Sequence, residues 1–215
     1  MKKETILKHC TILSAYLVIV WGFYRFLFKL PDEVEELFIK PILWLVPVFY
    51  LVYKERASIS SLGITTKRLF TSIYVSLGLG IFFAIEALLV NYLKYKGNFN
   101  FSANIGQDFI LVSLFLSLAT ATSEEIVFRG YLFNRVWGVS KNEWMANIAT
   151  SLVWVLVHVP VAIFVWKLGF NAALIYLFLT TIFGIGSAFV FARTGNIVSP
   201  IILHVLWEWP IVLFR

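Results

Sequence analysis

Glu124, Glu125 and Arg129 stand in the stretch SEEIVFRG, with LVSLFLSLATAT before it and YLFNRVW after it. An ionisable side chain at mid-bilayer costs about 2.5–3.5 kcal/mol on insertion scales, so such groups normally face one another or a watered cavity and tend to be functional. Four more are placed in the same way: Glu86 in IFFAIEALLV, His158 in TSLVWVLVHVP, and His204 and Glu208 in SPIILHVLWEWP. Glu125 and Arg129 are four apart with the acid first, so they can close a structural ion pair along one helix face. Glu124 is turned about 100° from that face and has no local partner. A carboxyl of that kind can serve as a general base near neutral pH, and histidine is the usual side chain to share such work. Seven such groups would be expensive if scattered, and it is cheaper to suppose that most converge, with a glutamate and two histidines brought together from three segments. Each also has a plainer reading. A single histidine in an apolar span is more often a hydrogen-bonded packing residue, and Glu86, lacking a partner of comparable spacing, reads as an interhelical hydrogen-bonding group.

The elements that must position these residues are membrane spans. The 215 residues are 60% hydrophobic and 14% charged, far more apolar than a soluble domain. A span needs about 20 apolar residues. Seven segments qualify, near 11–30, 37–53, 69–93, 108–133, 144–166, 172–192 and 196–214, the second short and carrying Lys40, Pro41 and Pro47. The expected fold is all-α, a polytopic integral membrane helical bundle of about seven transmembrane helices, in a single domain over 1–215 without internal repeats. The first segment is too long, and too rich in aromatics, for a cleaved signal peptide, and reads as a retained span. One cysteine, Cys10, excludes an intramolecular disulfide. The net charge of +6 is dispersed, without a basic block, which argues against nucleic acid and leaves the lipid bilayer as the partner that the composition demands.

Lys/Arg bias sets orientation. With the amino terminus in the cytoplasm, the inner segments hold Lys2, Lys3, Lys8, Lys54, Arg56, Lys67, Arg68, Arg135, Lys141 and Arg193, and the outer ones Arg25, Lys29, Lys40, Lys94, Lys96, Lys167 and Arg215. Run out from that side, the spans place Glu124, His158 and His204 between the cytoplasmic leaflet and the midplane. Glu208 follows His204 by one turn on the same face.

These residues resemble a known pattern. EEIVFR matches the EExxxR motif of the CPBP family of intramembrane proteases, the group of the type II CAAX prenyl endopeptidases and of bacteriocin-processing or self-immunity (Abi) proteins. The FxxxH motif is met at Trp154 to His158 with Trp in place of Phe, and HxxxN or HxxxD at His204 to Glu208 with Glu in place of Asn or Asp. The similarity covers about residues 60–208, read as a CPBP-like protease core.

The resemblance implies an intramembrane endopeptidase acting on a membrane-associated or lipidated peptide or protein. In the glutamate-type account, Glu124 assisted by His158 polarises a water, while His204 and the residue at 208 steady the oxyanion, without a cofactor. A metallo-type account makes Glu124, His158 and His204 zinc ligands. Glu208 alters the third motif, because an ionised carboxylate cannot donate a hydrogen bond to an oxyanion, whereas a protonated one can; alternatively, it holds His204 in place. Two other functions use the same residues: a non-catalytic membrane scaffold or bacteriocin self-immunity protein that binds in the polar cavity, and a small transporter or proton path, disfavoured by the lack of inverted repeats.

Overall fold

The computed structural model describes residues 2–28, 30–100 and 110–214, and among them there are helices and connections but no strand. Seven long helices follow one another: α1 Lys3–Leu27, α2 Glu35–Lys54, α3 Leu69–Lys94, α4 Ile110–Ser140, α5 Glu143–Val165, α6 Phe170–Thr194 and α7 Val198–Phe214. The first six are long and apolar enough to cross a membrane. α7, with 17 residues, reaches about 26 Å at 1.5 Å per residue. The chain is a polytopic helical bundle, as its hydropathy predicts.

Local sequence sets the helix ends. Asn142 caps α5, its side chain accepting from the Met145 amide at 3.0 Å, and Gly195 ends α6 in the left-handed region with φ +64°. α4 runs seven residues beyond the apolar segment that the sequence marks out, because Asn134–Ser140 continues it for about two partly polar turns. Its middle, Ile126–Phe133, is π-helical and wholly buried. Such wide turns inside α-helices are frequent at functional sites. Gly130 lies in this segment because a Cβ there would meet the Leu62 carbonyl oxygen at 2.8 Å, so the short turn Ile59–Leu62 is pressed directly onto α4.

α7 packs along α3 and α4, α5 lies against α6, and α1 crosses the end of α4 and the body of α5. At the end of the bundle that holds the amino terminus, polar side chains bind the connections together. Just past α2, Glu55 accepts from the Tyr131 hydroxyl at 2.5 Å and from Arg135 Nε at 2.7 Å, and pairs with His9 Nδ1 at 3.1 Å. Asn134 and Arg135 also donate to Ser61, and Asn196 donates to the carbonyls of Thr65 and Lys67, both at 2.8 Å. Arg193 pairs with Glu143.

Burial pushes the Glu55 carboxyl up, but hydrogen bonds from Tyr131, Arg135 and His9 outweigh it and hold the group below the usual carboxylate range. A depressed acid contributes stability that is present above its unfolded value, about 4.3, and is lost as pH falls through the folded value. Glu55→Gln should therefore melt below wild type at pH 7, with the gap narrowing as pH drops below 4. A gap independent of pH, in detergent melting curves, would remove the charged contribution assigned to Glu55.

Candidate active site

Glu124 and Glu125 are the last two residues before the π-helical segment of α4, and both are buried. Their neighbouring positions send them to different partners. Glu125 lies between α6 and α7: Oε1 meets His204 Nδ1 at 2.7 Å, Oε2 accepts from the Ser187 hydroxyl at 2.7 Å, and Arg129 Nε stands 3.3 Å away. Arg129 also donates to the Gly184 carbonyl at 2.9 Å and rests over the Trp154 ring. A Cβ on Gly184 would meet Ser151 and Trp154 at 3.2 Å, so this position keeps α5 and α6 close enough for those contacts.

Glu124 faces α2 and α5. Oε2 accepts from the Trp154 indole Nε1 at 2.6 Å, and Oε1 lies 2.9 Å from Lys40 Nζ. The same ammonium donates to Glu36 Oε2 at 2.6 Å, and Glu36 in turn accepts from the Thr120 hydroxyl at 2.6 Å. The rings of Trp21 and Trp44 flank Lys40 at 5.4 and 5.5 Å. A buried ammonium between two carboxylates and two indole faces is compensated on every side, which is what allows a lysine to be 4% exposed in this bundle.

His158 completes the site from α5. Its Nδ1 lies 2.8 Å from the Trp154 carbonyl, which can only accept, so the proton is assigned to Nδ1 and Nε2 is left as an acceptor. That Nε2 stands 3.9 Å from Glu124 Oε2, too far for a direct hydrogen bond and suited to one bridging water. His204 Nδ1 is spent on Glu125, so its Nε2 is an acceptor in the neutral ring and a donor in the imidazolium. A cavity of about 200 Å³ is lined by Glu124, His158, His204 and Glu208 together with Glu36 and Lys40. Glu208 Oε2 is buried without a hydrogen-bond partner.

The structure thus brings Glu124, His158, His204 and Glu208 to one cavity and sets Glu125 against Arg129. It differs from the sequence reading in three respects. Glu124 is not without a partner, since Lys40 reaches it from α2. His204 is held by Glu125, so holding it is not the task of Glu208. Lys40, counted above as an outer-loop base, is a buried member of the site. Glu86, on α3, does not line the cavity. Glu36 and Lys40 are the site residues that sequence reasoning missed. Their signal is the i,i+4 spacing of acid and base at the start of a span.

The zinc alternative meets a physical objection here. Among the described residues no group of three His, Cys, Asp or Glu side chains is arranged to hold a metal ion. Both oxygens of Glu124 are engaged, one of them by an ammonium that a divalent cation would repel.

Neither a curated protein nor a solved structure matches the chain. A family model does: residues 106–210, which carry all three motifs and span α4 through most of α7, match the family described as type II CAAX prenyl endopeptidase Rce1-like, and this bears out the resemblance to the CPBP proteases.

Proposed function

We propose that the protein is an intramembrane endopeptidase of the glutamate type, hydrolysing a peptide bond of a membrane-associated or lipidated substrate by a water that Glu124 and His158 activate. The observation that carries this reading is the 3.9 Å separation of Glu124 Oε2 and His158 Nε2 on the wall of a polar cavity. A water held by both loses a proton to Glu124 as its oxygen adds to the scissile carbonyl carbon. The C–N bond breaks as the tetrahedral intermediate collapses, and the proton leaves Glu124 with the amine. His204 in its imidazolium form donates from Nε2 to the oxyanion, with Glu125 fixing the ring through Nδ1. Lys40 and Trp154 orient the base. Cleavage of a panel of prenylated and leader-type peptides by detergent-purified protein tests the reading, with Glu124→Gln and chelator-treated samples alongside. Chelator-sensitive cleavage with bound zinc would overturn the glutamate mechanism.

Glu208 supports a graded test. Its carboxyl, with Oε2 buried and without a hydrogen-bond partner, occupies the position of an amide donor in the family motif, and losing one oxyanion donor costs about 10²–10³ in rate in other hydrolases. Glu208→Asn should raise kcat by about tenfold, with KM moving less. An unchanged or lower kcat would remove residue 208 from the oxyanion site. One observation favours the non-catalytic scaffold or immunity reading, namely that both oxygens of Glu124 already have protein partners. Folded protein that cleaves nothing in the panel would support it.

A further inference from the structure

The cavity occupies one end of the bundle. Residues of its wall come from the late part of α1 (Arg25), the start of α2 (Glu36, Lys40), the end of α5 (Trp166) and the start of α6 (Tyr176). These are the helix ends farthest from the amino terminus. The opposite end is the one closed by Glu55, Ser61, Arg135 and Asn196.

Charge separates the same two ends. The closed end carries Lys54, Arg56, Lys67 and Arg68 in one connection, with Lys141 and Arg193 nearby. At the cavity end two of the bases are not free loop charges: Arg25 pairs with Glu35, and Lys40 is buried between Glu36 and Glu124. The connection that leads into α2, from Pro31 to Glu36, holds four carboxylates. Setting aside the paired bases on both sides, Arg25 and Lys40 outside and Arg135 and Arg193 inside, leaves eight inner bases against five outer ones, so the bias of the positive-inside rule is kept. The closed end is then cytoplasmic.

We infer that the cavity opens on the extracytoplasmic side, so that its substrate is a membrane-tethered segment of an exported polypeptide and not the carboxyl-terminal peptide of a protein presented from the cytoplasm. The choice of substrate rests on the protease reading; the side on which the cavity opens does not. Tyr176 and Trp166 at the mouth suit an interface, where aromatic rings sit at headgroup level.

Two experiments on the full chain in cell membranes separate these parts. In a Cys10→Ser background, Asn98→Cys at the cavity end and Thr66→Cys at the closed end, both exposed, are treated with a membrane-impermeant maleimide. Labelling of Asn98→Cys in intact cells, and of Thr66→Cys only after permeabilisation, is expected. The reverse pattern overturns the inference. In parallel, one scissile peptide is tethered to a transmembrane anchor on either the outer or the cytoplasmic side, with Glu124→Gln as the blank. Cleavage of the outer reporter alone is expected, and cleavage of the cytoplasmic one alone overturns the substrate assignment. Neither reporter cleaved, with labelling as expected, overturns the exported-substrate assignment together with the protease reading and upholds the side on which the cavity opens.

Discussion

Glu124→Gln is expected to lower kcat by about 10³-fold on any peptide that the wild type cleaves, with KM changed by only a few-fold. An amide oxygen can still accept from Lys40 or from Trp154, so the side chain remains in the same slot. It cannot take a proton from water at neutral pH, and that step is lost. The amide also turns an NH₂ group toward one of two donors that previously met oxygen, so some loss of stability accompanies the change. The comparison is therefore made on protein that retains its helical circular dichroism and its elution position. Cleavage within tenfold of wild type in such protein would take Glu124 out of the mechanism.

Lys40→Met carries the largest expected effect on stability. One ammonium contacts Glu36 at 2.6 Å and Glu124 at 2.9 Å, so its removal leaves the buried Glu124 and the half-buried Glu36 facing each other without a counter-ion. Breaking a buried pair by deleting one partner costs about 3–5 kcal/mol, because an uncompensated charge remains. A fall of about 10 °C in the thermal midpoint is the expected scale for a chain of this size. The double variant Lys40→Met, Glu36→Gln should recover part of that loss, since it discards one of the two stranded charges. If the double variant were less stable than Lys40→Met alone, repulsion between the acids would not be the cause.

Hydropathy made the seven helices legible, because spans of about 20 apolar residues with few charges have almost no other use. The Glu125–Arg129 pair was legible as well, since i,i+4 geometry needs no tertiary information and the two meet at 3.3 Å. What sequence could not supply was rotation about helix axes. Two carboxylates one residue apart differ by about 100°, and only packing decides that Glu125 faces His204 while Glu124 faces Lys40. Lys40 was misread for a related reason. A base followed by a proline at the start of a short span looks like an interfacial residue, and its burial depends on Trp21 from α1 and Glu124 from α4.

The departures from the family motifs read as a linked set. Trp154, where the pattern has Phe, supplies the indole N–H that binds Glu124 at 2.6 Å, and its carbonyl fixes His158. Glu208 adds an acid to a cavity that Lys40, outside the matched residues 106–210, furnishes with a buried cation. A Trp154→Phe change would bring the chain nearer to the family pattern while leaving Glu124 with one donor fewer.

The contrast between the two ends of the bundle has a mechanical side. Hydrogen bonds through Glu55, Ser61 and Asn196 fasten several connections together at the amino-terminal end, and the cavity sits at the other. Helices fastened at one end behave as levers about that point. A tilt of 5° at the fastening moves a helix tip about 25 Å away by about 2 Å, a length that 17 residues of helix supply. The cavity can thus widen by small tilts of whole helices, with their backbone hydrogen bonds intact.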